Sequence, residues 1–340
     1  VTKLCTFLIG LCLLAPFVAH GGELELYFYR APQPLDWSTP GNLVRSTVHN
    51  QRFKINGRTY PHSISHVNVR LQCANEKSVY RGMSSRKSNF SYVWDFTIKG
   101  VSLDTLLINV PGRFYTEDEI LFWLPVLKQK GYVRGLKLLL NEDQCARAQR
   151  YLRLYEELQL DKVYGGLRST PHFGQGAGCA AFGVSFLQIL NFFPESLERH
   201  WQRTLAVPWE LLSSKTRSAR IGFIGYLRGK DRPWALPREK QIQLKFWDPE
   251  LMYNWVGDIA QNKKEPSPYM WVEKDPLTPY QRVVWDVRTY PTSHDYFFAY
   301  RRGTLDSTVY YHRRNTSRLL TDEELLDQSH STCRMFRACP

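Results

Sequence analysis

The chain has 340 residues, 43% of them hydrophobic and 14% aromatic, with a formal net charge of +13. Such a composition excludes an intrinsically disordered protein and suffices for two domains or one large elaborated one. The positive balance favours polyanionic surroundings, but Lys and Arg are scattered, with no zinc finger, RNA-binding signature or uninterrupted basic run, so no specific nucleic-acid recognition is expected.

Lys3 precedes an apolar run from Leu4 to Ala19, followed by His20, Gly21 and Gly22. Basic, then apolar, then small is the order of a secretory leader, so residues 1–21 are read as a signal peptide and the chain as exported, periplasmic or extracellular. The run is short for a membrane span; an uncleaved N-terminal anchor is the alternative. Residues 22–57 read as a polar, turn-rich, irregular entry. Residues 58–208 are assigned to one domain and residues 209–340 to a β-rich basic C-terminal domain.

Within the first domain, "HVNVRLQC" (66–73) alternates apolar and polar residues and predicts a strand, with "VYRGM" (79–83) returning as the second arm of a hairpin. Residues 92–100 and 104–110 are further predicted strands. Thr116 and Glu119 form a capping box that opens a helix, which Pro125 is expected to bend or shorten. Residues 135–140 predict a strand, and Asn141 caps a charged helix ending near Leu160. After a loop rich in glycine, "GQGAG", residues 179–192 are apolar on nearly every side, which predicts a buried helix that opens at or next to Cys179 and stops before Pro194. Beyond Pro208, residues 219–227 and 241–248 predict strands and 249–259 a short helix. Residues 294–302 and 307–314 predict paired strands, and Thr321–Glu324 caps a last helix.

Cys5 and Cys12 lie in the leader, which leaves five cysteines, an odd number. Cys333 and Cys339 are candidates for one disulfide and Cys73 and Cys145 for another, though sequence does not fix the pairing. On that arithmetic Cys179 is the free thiol. A thiol on the first turn of a helix sits among unpaired N–H groups and ionises more readily, and those N–H groups also suit an oxyanion hole. The alternative is that Cys179 simply packs as a small hydrophobe.

A nucleophilic thiol needs a base within hydrogen-bond reach and a group to orient that base. His66, at the head of its strand, is the candidate base, with His62 as the alternative. A hairpin turn centred near Glu76 places Ser84 and Ser85 opposite His66 as candidate orienters; Asn68 and Gln72 share its face and compete with them. Gln175 and Gly178 are candidates for oxyanion or cleft contacts, and Tyr164 for the cleft wall. Four-residue spacing of His62 and His66 suits a metal only on a helix, which Pro61 argues against, so no metal and no cofactor are expected.

A histidine heading a strand ("SHVNVRL"), a hairpin return carrying a polar residue, then a glycine-preceded cysteine opening a buried helix ("GAGCAAF") resembles the circularly permuted papain-like superfamily. That superfamily includes cell-wall amidase relatives and the lecithin–retinol acyltransferase type. The resemblance covers about residues 58–193. It implies Cys179 as nucleophile, His66 as base and a polar third residue on the next strand. The expected fold is α+β: a papain-like domain with a central buried helix on an antiparallel sheet, plus a β-rich C-terminal extension. The expected function is a thiol-dependent hydrolase or acyl transferase acting on an amide or ester, with cell-wall peptide the substrate class by analogy. The competing expectation is a non-catalytic basic envelope protein that binds a polyanion or a protein partner, with Cys179 structural.

Overall fold

A computed structural model of the chain describes residues 21–74, 76–86, 109–167, 171, 174–208, 233–261 and 267–292. In chain order these form β1 (Gly22–Tyr29), α1 (Pro40–Gln51), β2 (Lys54–Ile55), β3 (Arg58–Thr59), β4 (His66–Cys73), β5 (Val79–Arg81), β6 (Met83–Ser85) and β7 (Val110–Phe114). Then come α2 (Glu117–Gln129), β8 (Val133–Leu140), α3 (Glu142–Glu157), β9 (Val163–Tyr164), α4 (Cys179–Ile189), α5 (Glu195–Trp201) and β10 (Gln202–Pro208). The last described elements are β11 (Gln241–Trp247), α6 (Pro249–Ala260), β12 (Met270–Lys274) and β13 (Gln281–Asp286). Helices and mixed sheets together make the protein α+β.

The main sheet has six strands in the order β12-β13-β8-β1-β4-β5. β1 lies between β8 and β4 and is antiparallel to both, with Tyr29 opposite Val133 and His66. Residues 22–57 are therefore not an irregular entry. They supply a central strand and the helix α1, which Thr39 caps through the Asn42 N–H. β1 alternates as a strand should. Leu24, Leu26 and Phe28 join the larger core, while Tyr27 and Tyr29 join a second cluster on the other face. Glu25 shares that second face and is almost wholly buried, held by Tyr27 Oη at 2.8 Å, Tyr280 Oη at 2.7 Å and Arg282 at 2.9 Å. Burial raises its carboxyl pKa, but the Arg282 charge and these hydrogen bonds outweigh that and hold it below the usual range.

β13 pairs with β8 in parallel, so the sheet is mixed rather than purely antiparallel. Of the described part of residues 209–340, β12 and β13 join the main sheet, β11 pairs antiparallel with β10 in a sheet of two strands, and α6 packs on β13, β8 and β1. The apolar run Val283, Val284 and Trp285 is buried there. The expected strands at 92–100, 219–227, 294–302 and 307–314, and the helix at Thr321–Glu324, lie outside the described residues, as do the leader through His20 and Cys333 and Cys339.

α4 lies against β4 in the larger core. Gly183 makes this approach possible, since a Cβ there would stand 2.6 Å from Val67 Cγ1. Ser185, a polar residue inside this buried helix, is satisfied by Tyr151 Oη at 2.7 Å and by its own bond to the Phe182 carbonyl at 2.6 Å. α2 has the expected capping box, and Pro125 does not cut it short: the helix continues to Gln129. Pro125 and Leu121, whose carbonyl loses its helical partner, are both exposed, so water can take that bond. Cys73 and Cys145 form a disulfide that ties the end of β4 to the first turn of α3. Cys179 is the free cysteine among the described residues.

Candidate active site

His66 opens β4, and the chain just before it doubles back. The Ser65 N–H bonds the His62 carbonyl at 3.1 Å, Ser65 takes a left-handed backbone (φ 68°), and its hydroxyl accepts the Ala31 N–H at 3.0 Å. This turn lays the His62 ring flat on the His66 ring, with centroids 4.6 Å apart and planes 9° from parallel. Tyr115 stands edge-on to both, at 5.2 Å from His66 and 6.1 Å from His62.

The His66 Nε2 lies 2.8 Å from Asn68 Oδ1. The Asn68 amide is oriented by its own Nδ2–H, which donates to Tyr29 Oη at 3.2 Å. An amide oxygen only accepts, so Nε2 carries the hydrogen and Nδ1 keeps the basic lone pair. The partner of His66 is thus Asn68, two residues along the same strand, rather than Ser84 or Ser85. The register that predicted those serines holds only as far as Val69 opposite Arg81. At Gly82 the strand turns away, and β6 pairs instead with β7, Met83 opposite Phe114. Ser84 stands beside Tyr115, and its bond to that hydroxyl partly offsets the rise in the phenol's pKa caused by burial. Gly82 is required where it is: a Cβ would fall 1.8 Å from Asn68 Oδ1 and 3.2 Å from His66 Nε2.

Because β5 pairs no further than Val69, β4 is open beside Val67, and the first turn of α4 reaches this stretch. The Val67 N–H points at the Cys179 sulfur, as do the N–H groups of Ala180 and of Cys179 itself. Tyr164 Oη donates to the sulfur at 3.9 Å. The thiol and the imidazole are therefore linked through one peptide, since the residue after His66 touches the sulfur. Tyr115, in ring contact with His66, is also close enough to Cys179 for a thiolate there to raise its phenol pKa. Among the described residues the two side chains do not hydrogen-bond each other; contacts of this kind commonly tighten only when substrate binds.

Burial governs the protonation of both groups. Cys179 is 8% exposed and His66 6%. Burial pushes the thiol pKa above its ordinary value, although the surrounding N–H groups and Tyr164 pull it down. Burial pushes His66 from 6.5 down to about 4, against the upward pull of Asn68, and His62 lies well below its ordinary value for the same reason. Near neutral pH the resting pair is thus a thiol and an imidazole, not a thiolate and an imidazolium.

Gly178 is the N-cap of α4, where no side chain caps the helix, and its carbonyl accepts the Phe182 N–H. Gln175 lies half-buried in the loop before it. Among the described residues no three His, Cys, Asp or Glu side chains converge as a metal site. Tyr115 carried no sequence signal, because only the pairing of β6 with β7 brings it to His66. Asn68 did carry one: a strand repeats every two residues, so it shares the face of His66.

No protein-family model matches the chain, and neither a curated protein nor a solved structure matches it.

Proposed function

We propose that the protein is a thiol-dependent hydrolase or acyl transferase with Cys179 as nucleophile, His66 as general base and Asn68 as the residue that orients the base. The observation that carries this reading is the pair of contacts on either side of one peptide. His66 Nε2 is held by Asn68, which leaves Nδ1 basic, and the next N–H in the chain meets the Cys179 sulfur.

A neutral resting pair calls for general-base chemistry. The Cys179 sulfur attacks the carbonyl carbon of an amide or ester while His66 Nδ1 takes the thiol proton. The negative charge that develops on the carbonyl oxygen meets N–H groups at the start of α4. Collapse expels the amine or alcohol, which takes the proton back from His66, and leaves a thioester on Cys179. Water or another acceptor then attacks that thioester, giving a proton to His66; collapse breaks the C–S bond, and the departing sulfur takes that proton back from His66 as the thiol. The resemblance to permuted papain-like enzymes supports the same roles and suggests a cell-wall peptide as substrate. The leader-like N-terminus and the Cys73–Cys145 disulfide support an exported protein working in an oxidising compartment.

The burial of the sulfur favours a second reading, a basic envelope-binding protein in which Cys179 only packs. p-Nitrophenyl acetate separates the two. The hydrolase reading expects a burst of one equivalent of p-nitrophenolate, with the acetyl group on the Cys179 peptide by mass spectrometry. The burst disappears in Cys179→Ala and slows roughly a hundredfold or more in His66→Gln, the usual contribution of a general base. Acetylation at other residues only, or at Cys179 with a rate indifferent to His66→Gln, sinks the reading.

A further inference from the structure

The turn before β4 folds His62 back over His66. The two rings lie flat on each other, with centroids 4.6 Å apart and planes 9° from parallel, and both residues are buried. Tyr29 packs on the His62 ring with centroids 4.4 Å apart, and Tyr60 stands at right angles to it at 5.8 Å, so the ring is held in place. Histidine is a poor choice as mere filling here. Its Nδ1 is buried with no hydrogen-bond partner among the described residues, where a phenylalanine or leucine would leave nothing unsatisfied. That nitrogen also argues against His62 as the base. Asn68 holds a ring nitrogen of His66, whereas Nδ1 of His62 is held by none among the described residues.

The base has a need that such a ring can meet. When His66 Nδ1 takes the thiol proton, an imidazolium forms in a buried place, and a buried charge is costly unless something answers it. Asn68 is neutral, and among the described residues no carboxylate acts on either imidazole. Glu119 of α2 comes close to His62, but Arg113 of β7 binds both its oxygens, at 2.6 and 2.7 Å. The other titratable groups around the pair, Tyr29, Tyr60, Tyr115 and Cys179, are buried and neutral near pH 7. What faces the imidazolium is therefore aromatic surface. An aromatic face attracts a cation within about 6 Å of its centroid, and more strongly where water is excluded. Burial, and then the neighbouring His66, hold the His62 pKa well below its ordinary value, so His62 stays neutral while His66 is protonated. The stack also fixes orientation. The χ2 torsion of histidine is broad, and a flat neighbour restricts the His66 ring to the plane in which Nε2 meets Asn68.

We propose that His62 is a positioning residue for the base: its neutral ring holds the plane of the His66 imidazole and stabilises the imidazolium by stacking on its face. Its effect on catalysis rests on the hydrolase reading above; its effect on the proton affinity of His66 does not. His66 remains the base.

The test uses the full-length protein and two replacements. His62→Phe keeps an aromatic face, and His62→Leu removes it. Two quantities are read: the limiting rate of Cys179 acylation by p-nitrophenyl acetate, and the proton affinity of His66, followed through its ¹⁵N resonances between pH 7 and about pH 4.5. His62→Leu is expected to lower each about tenfold, and His62→Phe to keep each within about threefold of the unaltered protein. The His66 Hε1 signal is expected upfield of its ordinary position in the unaltered protein and in His62→Phe, and to move downfield in His62→Leu. A residue that only fills space would let Leu and Phe serve equally. An unchanged His66 proton affinity in His62→Leu, or a His62→Phe variant that falls as far as His62→Leu, overturns the proposal. If His62→Leu does not fold, His62→Met takes its place with the same expectations. An ordinary Hε1 position in the unaltered protein overturns the stack without any variant. Absence of Cys179 acylation in the unaltered protein, with a His66 proton affinity that still falls in His62→Leu, overturns the hydrolase reading and leaves the stacked pair standing.

Discussion

Acid should destabilise this protein through His66, and by an amount that can be worked out. Burial takes the His66 pKa from 6.5 to about 4 in the folded state. Above pH 6.5 the ring is neutral folded or unfolded, and it contributes nothing to pH dependence. As pH falls below 6.5 the unfolded chain binds a proton that the folded state refuses. Stability is lost until the folded ring also protonates, near pH 4. At pH 5 this linkage costs about 2 kcal/mol, and the full displacement costs about 3 kcal/mol. Other groups titrate too, so the informative quantity is the difference between the unaltered protein and His66→Gln, each measured by urea denaturation at pH 7 and pH 5. His66→Gln removes the linkage, so the unaltered protein is expected to lose about 2 kcal/mol more than the variant over that range. A constant difference between the two proteins, or a gap that moves the other way, refutes the claim that burial holds His66 neutral.

Two further outcomes follow from named contacts. Gly82→Ala places a Cβ 1.8 Å from Asn68 Oδ1, which displaces the amide from His66. Acylation of Cys179 should fall roughly ten- to a hundredfold, as small misplacements of catalytic groups do, while circular dichroism stays native-like. The His66 titration should shift further downward, because the Asn68 bond that pulls it up is lost. Opening the Cys73–Cys145 bridge, by reduction or Cys145→Ala, releases a cross-link between residues 72 apart in sequence, and chain entropy puts the loss at about 4 kcal/mol. A denaturation midpoint unchanged by reductant contradicts that figure.

How much of this was legible in the sequence depended on whether a signal was local. The capping box at Thr116, the Asn141 cap, the strand from His66 to Cys73 and the helix opening at Cys179 rest on contacts within a few residues, and all are present. The pairing of Cys73 with Cys145 was one of several open possibilities, and the packing of α3 beside β4 selects it. β1 alternates Leu24, Leu26 and Phe28 with the residues between them, but Glu23 and Glu25 make the stretch read as polar and solvent-facing. Partners far away in the chain, Tyr280 and Arg282, join Tyr27 and Arg70 in making a buried carboxylate tolerable at Glu25. The parallel partner β13 was unreadable for a related reason: its place beside β8 depends on where α6 and the intervening chain run. The site followed the same rule. Asn68 lies two residues from His66 and shares its face by strand geometry alone. Ser84 was drawn toward His66 by extending the hairpin register, which Gly82 breaks, and Tyr115 depended on the strand β7 that β6 turns to join.

The most direct test of the thiol–imidazole account is the ¹⁵N spectrum of His66 in protein with labelled histidine, recorded before and after acetylation of Cys179. The account predicts a neutral ring at pH 7 with hydrogen on Nε2, and an Nδ1 resonance that moves when the thiol is acetylated while Nε2 stays bound to Asn68. Hydrogen on Nδ1 in the resting protein, or an Nδ1 signal that ignores the state of Cys179, would contradict it.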